Sequence, residues 1–217
     1  KTGPLFKAVK KFSECTVIQF GDLHVGYQVG KDIDAVIISG SEARIVNPSH
    51  RDMFAGTVNL IKHLNLPVFS ICYGHQLLCW SLGARVASLT EPVKDRFEKV
   101  RIVEVDEIFA GFEKYQTIPL AQWHYDYVSR ESLDQAGLVL LADSYFFLGR
   151  PNPCCQQYTR CFPHQPEYHP SASFGFPYSA QCCQTGLREK EKSPGVEAQD
   201  QIGTGLYFPL LYLISRP

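Results

Sequence analysis

The sequence predicts an α/β domain built on a mostly parallel sheet. Short, uninterrupted apolar runs bounded by turn residues read as strands buried on both faces. Amphipathic helical stretches alternate with them. A strand-rich middle then follows, as a β excursion from that core.

The elements come in this order. Leu5, Phe6, Val9 and Phe12 recur at helical spacing and predict a helix over 4–13. Residues 15–20 (CTVIQF) form a β-rich run, and 34–40 (DAVIISG) form a fully apolar strand leading into Ser-Gly-Ser. Residues 48–65 read as one helix, with Met53, Val58, Leu60, Ile61 and Leu64 for its buried face. Residues 67–72 (PVFSIC) are another buried strand, running directly into a helix over 73–82 that Gly83 is placed to end. Strands are expected at 84–89, 99–105, 117–123 and 138–144. Beyond 171 no periodicity persists, so 1–170 reads as the domain and 171–217 as an irregular tail. The ending, GLYFPLLYLI, needs a surface to cover it.

The chain has 217 residues with 21 Lys and Arg against 22 Asp and Glu, a formal charge of −1. That balance argues against binding nucleic acid by phosphate neutralisation and against a polybasic membrane-surface role. The longest apolar stretch, 206–214, is too short to span a bilayer. Eight cysteines occur without a CxxC pair, so reduced thiols in a cytoplasmic setting are expected. Cys154, Cys155, Cys161, His164 and His169 do not have the spacing of a zinc site, and no metal is expected. There is neither a P-loop nor a GxGxxG, so no nucleotide cradle and no cofactor are expected.

The most informative segment is PVFSICYGHQLLCWSLG, residues 67–83. A buried strand meets a helix at Cys72, with small Ser70 and Gly74 allowing a tight turn, which is the logic of a nucleophile elbow. A helix amino terminus favours thiolate, and the Tyr73 N–H is placed to donate to a developing oxyanion. Cys79 lacks that setting and reads as a core cysteine.

Residues 70–76 (SICYGHQ) resemble the nucleophile motif G-[IV]-C-x-G-x-Q of class I glutamine amidotransferases, with the look of the glutaminase part of GMP synthetases. Cys72, Gly74 and Gln76 match, and Ser70 stands in for glycine. Ile38-Ser39-Gly40-Ser41 resembles the family's S-G-G-P loop, and Trp123-His124-Tyr125-Asp126-Tyr127-Val128 its H-x-D-x-V pattern. The resemblance covers about residues 5–170. It implies a three-layer, flavodoxin-like fold. It also implies a Cys72 nucleophile, with an oxyanion hole from Tyr73 and the Gly40–Ser41 loop. Gln76 and His124 are implied as substrate contacts, although a lone His on a strand also reads as a structural hydrogen-bonding group. Family members usually begin with a strand before the first helix, so this sheet is expected one strand short.

The family's late H-P-E motif supplies a histidine base and a glutamate that orients it. Here Pro163-His164-Gln165-Pro166-Glu167 places His164 one residue early, with Gln165 in register with the family histidine. Neighbouring strand residues face opposite sides, so His164 needs a bulge to reach Cys72. Two readings follow. In one, Cys72, His164 and Glu167 form a triad that hydrolyses the glutamine side-chain amide through a thioester. In the other, the chain is a catalytically impaired relative that binds glutamine or a partner. His169 fits the pattern less well. A γ-glutamyl peptidase would use the same triad. The expected partners are glutamine or a γ-glutamyl compound, and a separate synthetase chain that accepts the ammonia.

Overall fold

The structure is a computed structural model and describes residues 3–145, 153–155, 159–160 and 210–215. In chain order the helices are α1 (Pro4–Val9), α2 (Pro48–Asp52), α3 (Ala55–His63) and α4 (Tyr73–Ser81). The strands are β1 (Glu14–Gln19), β2 (Ala35–Ile38), β3 (Val68–Ser70), β4 (Val86–Ile102), β5 (Thr117–Ser129), β6 (Val139–Leu140), β7 (Ala142–Tyr145), β8 (Pro153–Cys155), β9 (Thr159–Arg160) and β10 (Leu210–Ser215).

The main sheet has the order β1-β10-β2-β3. β2 and β3 are parallel, and β10 is antiparallel to both β1 and β2. β1, β2 and β3 therefore run in one direction and β10 alone is reversed, so the expected mostly parallel sheet is present with one inverted strand. That strand comes from the stretch read as an irregular tail. Its apolar sequence finds the covering surface it needs between β1 and β2, at the centre of a sheet expected to be one strand short.

Alternation along these strands makes the layers. Val36, Ile38, Leu211 and Leu213 pack with Leu60, Ile61, Leu77 and Leu78 of α3 and α4. Ala35, Ile37, Tyr212 and Ile214 pack on the other face with Leu5, Phe6 and Val9 of α1. The result is the expected three-layer α/β arrangement. Each fully buried aliphatic or aromatic side chain stabilises it by about 1.5–3 kcal/mol.

The helix expected over 48–65 is two helices. Asn47 caps α2 by accepting the Ser49 N–H, and Phe54 leaves helical geometry (φ −104°, ψ 20°) to drive its ring into the core. The strands expected at 84–89 and 99–105 are one long β4, paired with β5 through irregular registers between Ser88 and Arg96. With β7 and β8 these two strands close a small barrel, whose apolar cluster includes Val100, Ile102, Ile118, Leu120 and Leu141. β5 also passes beside α4, and that places the barrel wall against Cys72.

Candidate active site

Cys72 lies between β3 and α4 with φ 52° and ψ −115°. A non-glycine residue there is strained, and such strain persists only where the surroundings enforce it. Ser70, which replaces the glycine of the resemblance, is not in a positive-φ conformation; the strain sits on Cys72 itself. Packing explains why. A Cβ on Gly74 would lie 2.5 Å from the Ile38 carbonyl oxygen and 2.8 Å from that of Ser39, so the helix can start this close to β2 only with glycine. A Cβ on Gly40 would lie 3.3 Å from the Cys72 Cβ, so the Gly40 main chain abuts Cys72.

The loop after β2 is held by side-chain acceptors, one of its own and one from α2. The Ala43 N–H donates to Ser41 Oγ at 3.0 Å, and the Arg44 N–H to His50 Nδ1 at 2.9 Å. Gly40, which Ser41 follows, thus abuts Cys72, and Tyr73 opens α4 directly after it. The Tyr73 side chain contributes packing alone. It is buried against Phe54 at 5.1 Å between centroids, and only its N–H is turned to the sulfur.

The thiol environment departs from the expectation of a thiolate. Burial pushes the Cys72 thiol up, the Tyr73 N–H pulls it down less strongly, and the Asp126 carboxylate pushes it up again. The thiol also donates to the Trp123 carbonyl at 3.5 Å, which favours the protonated form. Both effects weigh against the thiolate that a helix amino terminus favours.

Gln76 and His124 are both buried beside this point. Gln76 Nε2 donates to the Asp126 carbonyl at 2.9 Å, bracing α4 against β5. His124 lies on the buried row of β5, with Gln122 and Asp126. His164, Gln165, Glu167 and His169 lie outside the described residues.

An ion pair near Cys72 is not marked in the sequence. Arg44 donates to both carboxylate oxygens of Asp126, through Nη2 and, at 3.2 Å, through Nε, and it also reaches Ser88 Oγ at 2.8 Å. Its guanidinium and the Lys94 ammonium both lie over the Tyr125 ring, at 5.6 and 5.1 Å. The Asp126 side chain is 2% exposed, so it depends on this partner. Arg44→Met is expected to destabilise by about 3 kcal/mol in urea unfolding, because it leaves a buried, uncompensated carboxylate. Adding Asp126→Asn should recover part of the loss.

His75, in the first turn of α4, is buried with Cys79 Sγ 3.4 Å from its Nε2, and burial pushes it down from 6.5 to about 4. The folded state then binds fewer protons than the unfolded state between these values. Stability is complete above about pH 6.5 and is lost as pH falls towards 4, by up to about 3 kcal/mol. Urea midpoints at pH 7.5 and 5 should show this drop, and His75→Gln should flatten it.

The sequence profile described as glutamine amidotransferase class-I matches residues 5–146. The chain is 32% identical over 114 residues to a glutamine-hydrolysing GMP synthase subunit of Sulfolobus acidocaldarius, covering 52% of this chain and 56% of that one. It is 32% identical over 88 residues to the corresponding protein of Archaeoglobus fulgidus, covering 41% and 44%. A carbamoyl phosphate synthase small chain of Bartonella tribocorum is 40% identical over 62 residues, 25% of this chain and 16% of that one. The chain thus spans less than two-thirds of each of these relatives. Among solved structures, a putative GMP synthase subunit from Thermoplasma acidophilum aligns with a TM-score of 0.44 at 24% identity, over 52% and 53% of the two chains. Among the described residues no helix is long and apolar enough to cross a membrane.

Proposed function

The chain belongs to the glutamine amidotransferase class-I family, and from that premise we propose that it hydrolyses the side-chain amide of glutamine through a Cys72 thioester. The observation that carries this reading is the strained Cys72 turn, with the Gly40 main chain and the Tyr73 N–H at the sulfur. The Cys72 sulfur attacks the carboxamide carbon. The N–H groups of Tyr73 and of the Gly40–Ser41 loop stabilise the oxyanion. His164 takes the thiol proton, gives it to departing ammonia and then activates water against the thioester, while Glu167 orients the imidazole. The roles of His164 and Glu167 rest on the sequence motif alone. In this reading Gln76 supports the site by bracing α4, and His124 belongs to the pocket wall. The ammonia is used by a separate synthetase chain, and a cytoplasmic location fits the expectation of reduced thiols.

Incubation with glutamine should release glutamate and ammonia in equal amounts. A second reading, an impaired relative that binds glutamine, is favoured by the upward shift of the Cys72 thiol and by Gln165 in the family's histidine register. It predicts glutamine binding by calorimetry without glutamate release. Replacing glutamine by γ-glutamyl peptides in the same assay separates a peptidase from an amidotransferase.

A further inference from the structure

The reversed strand β10 begins at the nucleophile end of the sheet, and its first residue is hydrogen-bonded to Ser39 twice. The Ser39 N–H donates to the Leu210 carbonyl at 3.0 Å, and the Leu210 N–H donates to Ser39 Oγ at 2.8 Å. The same hydroxyl donates to the Gly40 carbonyl at 3.2 Å. A serine hydroxyl has one proton and two lone pairs, so it can accept from Leu210 and donate to Gly40 at once. The Gly40 carbonyl and the Ser41 N–H belong to one planar peptide unit and point in opposite directions. Holding the carbonyl therefore fixes the direction of the N–H.

We propose that Ser39 is a positioning residue, whose hydroxyl relays the register of the C-terminal strand to the Gly40–Ser41 peptide and aims the Ser41 N–H at the oxyanion. This rests on the glutaminase reading given above. The relay joins residues 171 apart in the chain. It makes docking of β10 a condition for an aligned oxyanion hole, beyond its role in filling the sheet.

The test compares wild type, Cys72→Ala, Ser39→Ala, Ser39→Thr, Leu210→Pro and the Ser39→Ala/Leu210→Pro double variant in full-length protein. Leu210→Pro removes the donor N–H and keeps the carbonyl that Ser39 N–H uses, at a first-strand position where proline is tolerated. Ser39→Ala should lower kcat for glutamine roughly 10- to 100-fold, below the loss typical of removing an oxyanion donor outright. KM should stay within about twofold, because substrate binding precedes oxyanion formation. Ser39→Thr should restore most of kcat. Leu210→Pro should lower kcat in the same way, and the double variant should lose less than the product of the single losses. Alkylation of Cys72 by iodoacetamide, which forms no oxyanion, should proceed at the wild-type rate in Ser39→Ala. Cys72-dependent turnover with wild-type kcat in Ser39→Ala overturns the relay and leaves the glutaminase reading standing. So does a kcat loss in Ser39→Ala matched by an equal loss of alkylation rate, since that marks general disruption. Equal turnover in wild type and Cys72→Ala overturns the glutaminase reading, and the relay with it.

Discussion

Replacing Cys72 with alanine is expected to reduce glutamate release from glutamine on the order of 10³-fold or more, since a covalent mechanism has no route without its nucleophile. The fold should survive the change. The Cys72 backbone conformation is imposed by the packing of Gly74 and Gly40 rather than by its side chain. Comparison with Cys72→Gly isolates the strain. Glycine accepts φ 52° without a Cβ penalty, so the glycine variant should be about 1 kcal/mol more stable than the alanine variant while equally inactive. Urea unfolding of the two variants measures this difference. If their stabilities are equal, the turn is not strained.

Gly74→Ala is expected to cost about 3 kcal/mol of stability and most of the activity. Its new Cβ would meet the Ile38 and Ser39 carbonyl oxygens at 2.5 and 2.8 Å, and the Ile38 Cγ2 at 2.9 Å. Two of those contacts are main chain, which cannot rotate away. Relief requires moving the start of α4 away from β2, and that separates the Tyr73 N–H and Cys72 from the Gly40 loop. Loss of stability and loss of alignment therefore share one cause. Gly21→Ala is the control, because a Cβ there meets nothing within 4 Å and the position has no positive φ. It should change stability by less than about 0.5 kcal/mol. A thermal scan should show Gly74→Ala lower by roughly 10 °C and Gly21→Ala unchanged.

Much of this site was legible because its constraints are local. A small residue, a cysteine and a glycine at the junction of a buried strand and a helix define the turn at Cys72 whatever the rest of the chain does. The apolar runs of β2 and β3 are visible for the same reason, since both faces are covered. Other features depend on partners far away in sequence. Arg44 and Asp126 are 82 residues apart, and nothing in either neighbourhood marks them as a pair. Residues 89–98 are so polar that β4 reads as two strands. Val93, fully buried, is the inward anchor that only the barrel reveals. The hydrophobicity of β10 was plain, and its burial on both sides agrees with it, but its place at the centre of the sheet depends on β1 and β2. The thiol shows a competition between effects. A helix terminus argues for thiolate, and burial with Asp126 nearby outweighs it. The base of the proposed function, His164, falls where the motif is displaced by one residue.

The most direct test is to quench the protein with acid during turnover of glutamine and analyse its peptides by mass spectrometry. The account predicts a γ-glutamyl group on the peptide carrying Cys72, absent in Cys72→Ala and lost on mild alkaline treatment, as a thioester requires. Glutamate release that continues in Cys72→Ala, with no adduct on the wild-type peptide, would contradict it.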